Sequence, residues 1–167
     1  VRDNLFFCRA GITVGSILAD GSISACPNLR SSFVQGNIYR DAETLYQDTI
    51  TKNPNSWMAH NNLGLILKAQ GRHEEAVAHF SRALQIRPHD AEVHNNLGNV
   101  LALKGEKEKA IDHFIKALEL EPNLPGAHNN LGNALQDKGL VDEAIDCYRE
   151  VLRINPEDAV AHTNLGL

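Results

Sequence analysis

A five-residue block recurs at a fixed interval of 34 residues: His60-Asn61-Asn62-Leu63-Gly64, His94-Asn95-Asn96-Leu97-Gly98, His128-Asn129-Asn130-Leu131-Gly132, then His162-Thr163-Asn164-Leu165-Gly166. Other landmarks keep step with it: Gly71, Gly105 and Gly139; Ala76, Ala110 and Ala144; Phe80, Phe114 and Tyr148; Pro88, Pro122 and Pro156. A constant period of this length predicts a solenoid, in which each unit buries its apolar face against its neighbours. Such a chain presents a long surface for binding rather than a closed cleft for catalysis.

Each unit reads as two helices. Leu63, Gly64 and Leu67 are spaced by one, three and four residues on one helical face. Gly71 closes that helix, because glycine takes the left-handed conformation that a helix end often needs. Ala76, Val77, Phe80, Ala83 and Leu84 form the apolar stripe of a second helix, and Pro88 stops it. Asp90 is then placed to cap the next helix. Gly64 and Ala83 let two helices approach, and Phe80 fills the space between them.

These landmarks resemble the tetratricopeptide repeat. The resemblance covers 57–90, 91–124 and 125–158, with the truncated first helix of a fourth repeat in 159–167. A degenerate repeat helix is expected in 41–56, since Ala42, Tyr46 and Pro54 lie one period before Ala76, Phe80 and Pro88. One departure is Val151, where Ala83 and Ala117 predict a small residue. The expected fold class is mostly α: a right-handed superhelix of helix-turn-helix repeats, preceded by a small β-hairpin element.

The resemblance implies recognition of a protein or peptide, with the first helices lining a concave face. That face is expected to carry Asn61, Asn62 and Leu65, then Asn95, Asn96 and Asn99, then Asn129, Asn130 and Asn133, with Asn62, Asn96, Asn130 and Asn164 in one column. An amide side chain offers a donor and an acceptor, which matches the backbone of an extended peptide. The repeats of O-GlcNAc transferase carry a similar ladder. The other reading is that these amides bond between neighbouring repeats and hold the solenoid together. Relatives that hold acidic chaperone tails use several cations on the first helices. Here Lys68 stands against Glu92 and Asp137, too few donors for a carboxylate ligand.

The histidine column His60, His94, His128 and His162 is read as packing, because zinc needs ligand nitrogens about 2.0–2.1 Å from one ion and equivalent positions lie a helix-packing distance apart. No metal or other cofactor is expected in the repeats. The 16 basic and 21 acidic residues give a net charge of −5, which argues against nucleic acid as a partner. No stretch has the length of a transmembrane helix, so no membrane contact is expected of this segment.

Residues 1–40 fall outside the period. Ile12–Leu18 reads as a strand, Asp20-Gly21 as a tight turn and Ser22–Ala25 as the returning strand. Pro27-Asn28 leads into a loop and then Gly36-Asn37-Ile38. Cys8, Gly21, Cys26 and Gly36-Asn37-Ile38 resemble the start of the SPASM domain of radical S-adenosylmethionine enzymes, over residues 5–45. By that resemblance Cys8 and Cys26 would be iron–sulfur ligands. A cluster generally takes four thiolates, and the one other cysteine, Cys147, belongs to the repeats. Free thiols and a disulfide are the alternatives. With three cysteines and no secretory signal, reduced thiols and a cytoplasmic setting are favoured over secretion.

The chain opens on Val1 and stops within a repeat's first helix, so a fragment of a longer protein is expected. Two functions follow. The first is a non-catalytic interaction module that binds an extended peptide along the asparagine-lined groove. The second is a substrate-recognition fragment of a larger enzyme, either a protein glycosyltransferase or a SPASM-containing radical enzyme.

Overall fold

The computed structural model describes the backbone of residues 31–166 and the side chains of 42–166. The expected hairpin over 12–25, with Cys8 and Cys26, lies outside the described residues. Among the described residues there is no strand, and eight helices follow in order: α1 Ser31–Lys52, α2 Trp57–Ala69, α3 His73–Ile86, α4 Ala91–Leu103, α5 Lys107–Leu120, α6 Pro125–Asp137, α7 Val141–Ile154 and α8 Ala159–Leu165. The chain divides into two compact units, Val1–Thr44 and Leu45–Leu167.

The described part of the first unit is the opening stretch of α1. The helix begins at Ser31, ahead of the 41–56 stretch expected as a degenerate repeat helix, and Gly36-Asn37-Ile38 lies within it. The stretch from Ser31 to Lys52 contains no proline and one glycine, so nothing in it forbids helical backbone.

In the second unit the helices alternate first and second within each repeat. The first helices start on capping side chains. The Ala59 N–H donates to Ser56 Oγ at 3.4 Å, Val93 N–H to Asp90 Oδ1 at 3.1 Å and Ala161 N–H to Asp158 Oδ1 at 2.9 Å. These bonds satisfy amides that have no partner inside the helix. The third repeat departs, because Leu124 stands at the cap and offers no acceptor. Pro125 follows at the first helical position, where its missing N–H costs nothing. The first helices end on Gly71, Gly105 and Gly139, with φ of 76°, 83° and 80°. At Gly71 the turn is closed by Gly71 N–H to Lys68 O at 3.0 Å and Arg72 N–H to Leu67 O at 2.9 Å, the paired bonds of a Schellman motif.

The core runs as one apolar seam through the repeats. Phe80, Phe114 and Tyr148 are fully buried, each between the two helices of its own repeat. Every ring lies across a glycine of the facing helix. A Cβ on Gly64 would stand 2.8 Å from Phe80 Cε1, one on Gly98 2.6 Å from Phe114 Cε1, and one on Gly132 2.6 Å from Tyr148 Cε1. Glycine is therefore what permits the close approach of α2 to α3, α4 to α5 and α6 to α7. Ala83, Ala117 and Val151 are equally buried, so the larger Val151 finds room. Second helices pack on the next first helix, α3 on α4 and α5 on α6. First helices also pack on one another, α2 on α4 and α4 on α6, which sets their asparagine-bearing faces side by side.

Candidate functional site

The asparagine pairs of the first helices form a staircase of hydrogen bonds between repeats. Asn96 Nδ2 donates to Asn61 Oδ1 at 3.2 Å, and Asn130 Nδ2 donates to Asn95 Oδ1 at 2.9 Å. The second amide of one block thus binds the first amide of the block before it. At the start of the row, α1 supplies the partner: Asn62 Nδ2 donates to the Tyr46 hydroxyl at 3.1 Å. Asn61 Nδ2 also donates to Asn62 Oδ1 at 3.4 Å.

The next step of the staircase is broken. Asn164 Nδ2 turns to Asn133 Oδ1 at 3.1 Å rather than to Asn129. Asn129 Oδ1 is left buried and without a partner. Asn133 Oδ1 also accepts from the Tyr148 hydroxyl at 2.8 Å, while Gln136 Oε1 lies 3.0 Å from the same hydroxyl. One hydroxyl proton serves one acceptor at a time. Burial pushes the Tyr148 phenol above its ordinary pKa, which keeps that proton in place. Phe80 and Phe114 carry no hydroxyl, so this network belongs to the third repeat alone.

Between the second and third repeats the same face opens into a hollow of about 260 Å³. Three of the nine expected residues line it: Asn99, Asn130 and Asn133. Its apolar part comes from Ala102, Ala134 and the exposed Leu103. At its edge Lys107 Nζ meets Asp137 Oδ2 at 3.1 Å. Asn61, Asn62, Leu65, Asn95, Asn96 and Asn129 lie outside this hollow. Sequence reasoning missed Leu103 and the Tyr148 hydroxyl as groove features. The signal for both lay in the period, since Leu103 replaces Ala69 and Asp137, and Tyr148 replaces phenylalanine.

The repeated histidines do not converge on a common point. Each is bound by its own helix start: Nε2 lies 3.2, 3.1, 2.9 and 2.8 Å from the carbonyl oxygens of Pro54, Pro88, Pro122 and Pro156 for His60, His94, His128 and His162. Among the described residues no three His, Cys, Asp or Glu side chains gather as a metal site. Burial raises the pKa of the Cys147 thiol, so this cysteine is not an activated nucleophile. Among the described residues no helix is long and apolar enough to cross a membrane.

Comparison with known proteins places this geometry. Residues 56–121 match a tetratricopeptide-repeat family model, and residues 125–158 match another of the same description. Both matches lie beyond residue 55, so the SPASM resemblance of residues 5–45 is no part of them. No curated protein matches the chain. Among solved structures, MamA is 24% identical with a TM-score of 0.73, over 78% of this chain and 77% of that one. YrrB, described as a protein of this repeat class with an unusual peptide-binding site, is 24% identical with a TM-score of 0.66, over 81% of this chain and 70% of that one. The first repeat domain of Spaghetti (RPAP3), bound to an HSP90 peptide, is 19% identical with a TM-score of 0.65, over 66% of this chain and 87% of that one. At these identities the likeness is one of fold.

Proposed function

The chain belongs to the tetratricopeptide-repeat family, and we propose that its repeats are a protein-interaction module that holds an extended peptide along the amide-lined face of α2, α4 and α6. The observation that carries this reading is the hollow between the second and third repeats. Asn99, Asn130 and Asn133 rim it, and Ala102, Ala134 and Leu103 supply its apolar part. Amides at the rim suit the N–H and C=O of a peptide backbone, and the apolar part suits one side chain. One of the similar structures is bound to an HSP90 peptide and another is described as having an unusual peptide-binding site, which supports the reading by analogy. The staircase narrows the set of groove residues. Asn61, Asn95, Asn96 and Asn130 each give one group to a neighbouring repeat, so their first duty is to hold the repeats in register. Asn133 Oδ1 is likewise occupied, by Asn164 and Tyr148, so Asn99 and the Nδ2 of Asn133 carry more of the ligand contact.

The proposed role is binding without catalysis, and the proposed partner is a protein segment rather than nucleic acid, in keeping with the net charge of −5. The test is selection of peptides from a random displayed library, followed by calorimetric titration of the winners. Asn99→Ala with Asn133→Ala should weaken binding roughly 5- to 150-fold, since each lost hydrogen bond is worth about 0.5–1.5 kcal/mol. Thermal melting of the same variant is the control. Peptides that bind the double variant as well as the wild type would refute the assignment.

A further inference from the structure

Two pairs of histidines meet between the paired helices, away from the asparagine staircase. His60 Nδ1 on α2 lies 2.9 Å from His79 Nδ1 on α3, and His94 Nδ1 on α4 lies 3.0 Å from His113 Nδ1 on α5. The ring centroids are 5.2 Å apart in both pairs, with interplanar angles of 33° and 32°. Rings whose nitrogens are this close reach that centroid distance only when the nitrogens point at each other. The proton positions follow from the neighbours. His60 and His94 face proline carbonyls with Nε2, and a carbonyl accepts only, so Nε2 must carry the hydrogen. In the neutral ring Nδ1 is then the acceptor. His79 and His113 must therefore donate from Nδ1. The two members of each pair hold opposite tautomers.

We propose that the two pairs form an acid-operated clasp, which ties the helices of the first and second repeats by one N–H···N bond each when neutral and releases them when both rings are protonated. The first added proton goes to the outer Nε2 of His79 or His113 and leaves the shared hydrogen bond intact. The second must go to Nδ1 of His60 or His94, where it removes the acceptor and sets two cations nitrogen to nitrogen. The surrounding charges are of mixed sign: Glu75, Asp90 and Asp112 favour protonated rings, whereas Arg82, Arg72 and Lys116 oppose them. Arg82 faces His60; Glu75 and Arg72 face His79; Lys116, Asp90 and His89 face His94; Asp112 faces His113. Burial is the largest influence on all four rings and lowers the pKa of each from its ordinary 6.5. His60 is itself only 6% exposed. The unfolded chain thus takes up protons near pH 6.5 that the folded repeats refuse, so stability is full above that pH and falls as the pH drops below it. The third repeat lacks the device, because Cys147 stands opposite His128 at the place of His79 and His113. A bound metal ion fits the geometry poorly, since two imidazoles that share an ion aim their lone pairs at a third point rather than at each other.

The test has two arms. Long-range ¹H–¹⁵N correlation spectra of the ¹⁵N-labelled protein at pH 7.5 report the tautomer of each ring. Nε2–H for His60 and His94 with Nδ1–H for His79 and His113 is expected, and Nε2–H in all four would overturn the proposal. In the second arm, urea unfolding is followed from pH 7.5 to 5.0 for the wild type and for His79→Cys with His113→Cys, the residue of the third repeat, under reducing conditions. The wild-type unfolding constant should rise about tenfold per pH unit for each pair below pH 6.5, and the variant's dependence should flatten. Parallel pH profiles would contradict the clasp. A melting-temperature rise with zinc in the wild type alone would replace it with a metal site.

Discussion

The second and third repeats are built on one plan, and four of their differences bear on the polar contacts. Where the second has Asp90, Phe114, His113 and the staircase bond from Asn130 to Asn95, the third has Leu124, Tyr148, Cys147 and an unpaired Asn129. The shared part is apolar and enclosed: the buried ring, the glycine under it, and the alanine at 110 or 144 beside it. The divergent part is polar and lies at helix starts, at the helix pair's rim and in the groove. Repetition of the sequence therefore preserves what neighbouring helices need in order to pack. It leaves free what the surface presents to a partner.

This division can be broken most forcefully in its shared part. Phe114→Ala empties a buried site between α4 and α5 and should cost about 3–5 kcal/mol in urea unfolding. A loss under about 1 kcal/mol would mean that the ring's neighbours close over the gap, against the jigsaw packing described here. Next in size, Gly98→Ala drives a methyl to 2.6 Å from Phe114 Cε1 and should cost about 1–3 kcal/mol through overpacking. An unchanged melting temperature would show that the ring yields.

The divergent part gives smaller effects of both signs. Leu124→Asp copies the cap of the second repeat into the third, and should stabilise the protein by about 1 kcal/mol. Failure to stabilise would indicate that Pro125 already fixes the helix start. The asparagines sharpen the contrast further. Asn95→Ala leaves the half-buried Asn130 Nδ2 without its acceptor and should cost about 0.5–1.5 kcal/mol. Asn129→Ala removes a buried acceptor that has no partner, so it should be neutral or stabilising. Equal losses at the two positions would refute the broken staircase.

The repeat period made the helices legible, because Gly71, Pro88 and Asp90 act through local backbone rules that a sequence displays directly. The contact of Gly64 with Phe80 was legible for the same reason, as small and large residues recur in step. The start of α1 was not legible, since a stretch with few breakers and no clear periodicity suits helix and loop alike. The face shared by α2, α4 and α6 was legible in part. The asparagine columns were visible, but a column in sequence does not reveal that Asn96 reaches back to Asn61 rather than outward. The histidines show the same limit. Their spacing argues against one ion shared along the column, while the pairing of His60 with His79 depends on how two helices turn toward each other.

In the proposed function the face of α2, α4 and α6 receives an extended peptide, with the closest contact at the hollow beside Asn99 and Asn133. Its most direct test is titration of a library-selected peptide into the ¹⁵N-labelled protein, with the asparagine side-chain amide signals assigned. The account predicts that the Nδ2 signals of Asn99 and Asn133 shift first and furthest, with the backbone amides of Ala102 and Leu103, while α3, α5 and α7 stay still. Shifts confined to the second helices, with Asn99 and Asn133 unmoved at saturation, would contradict it.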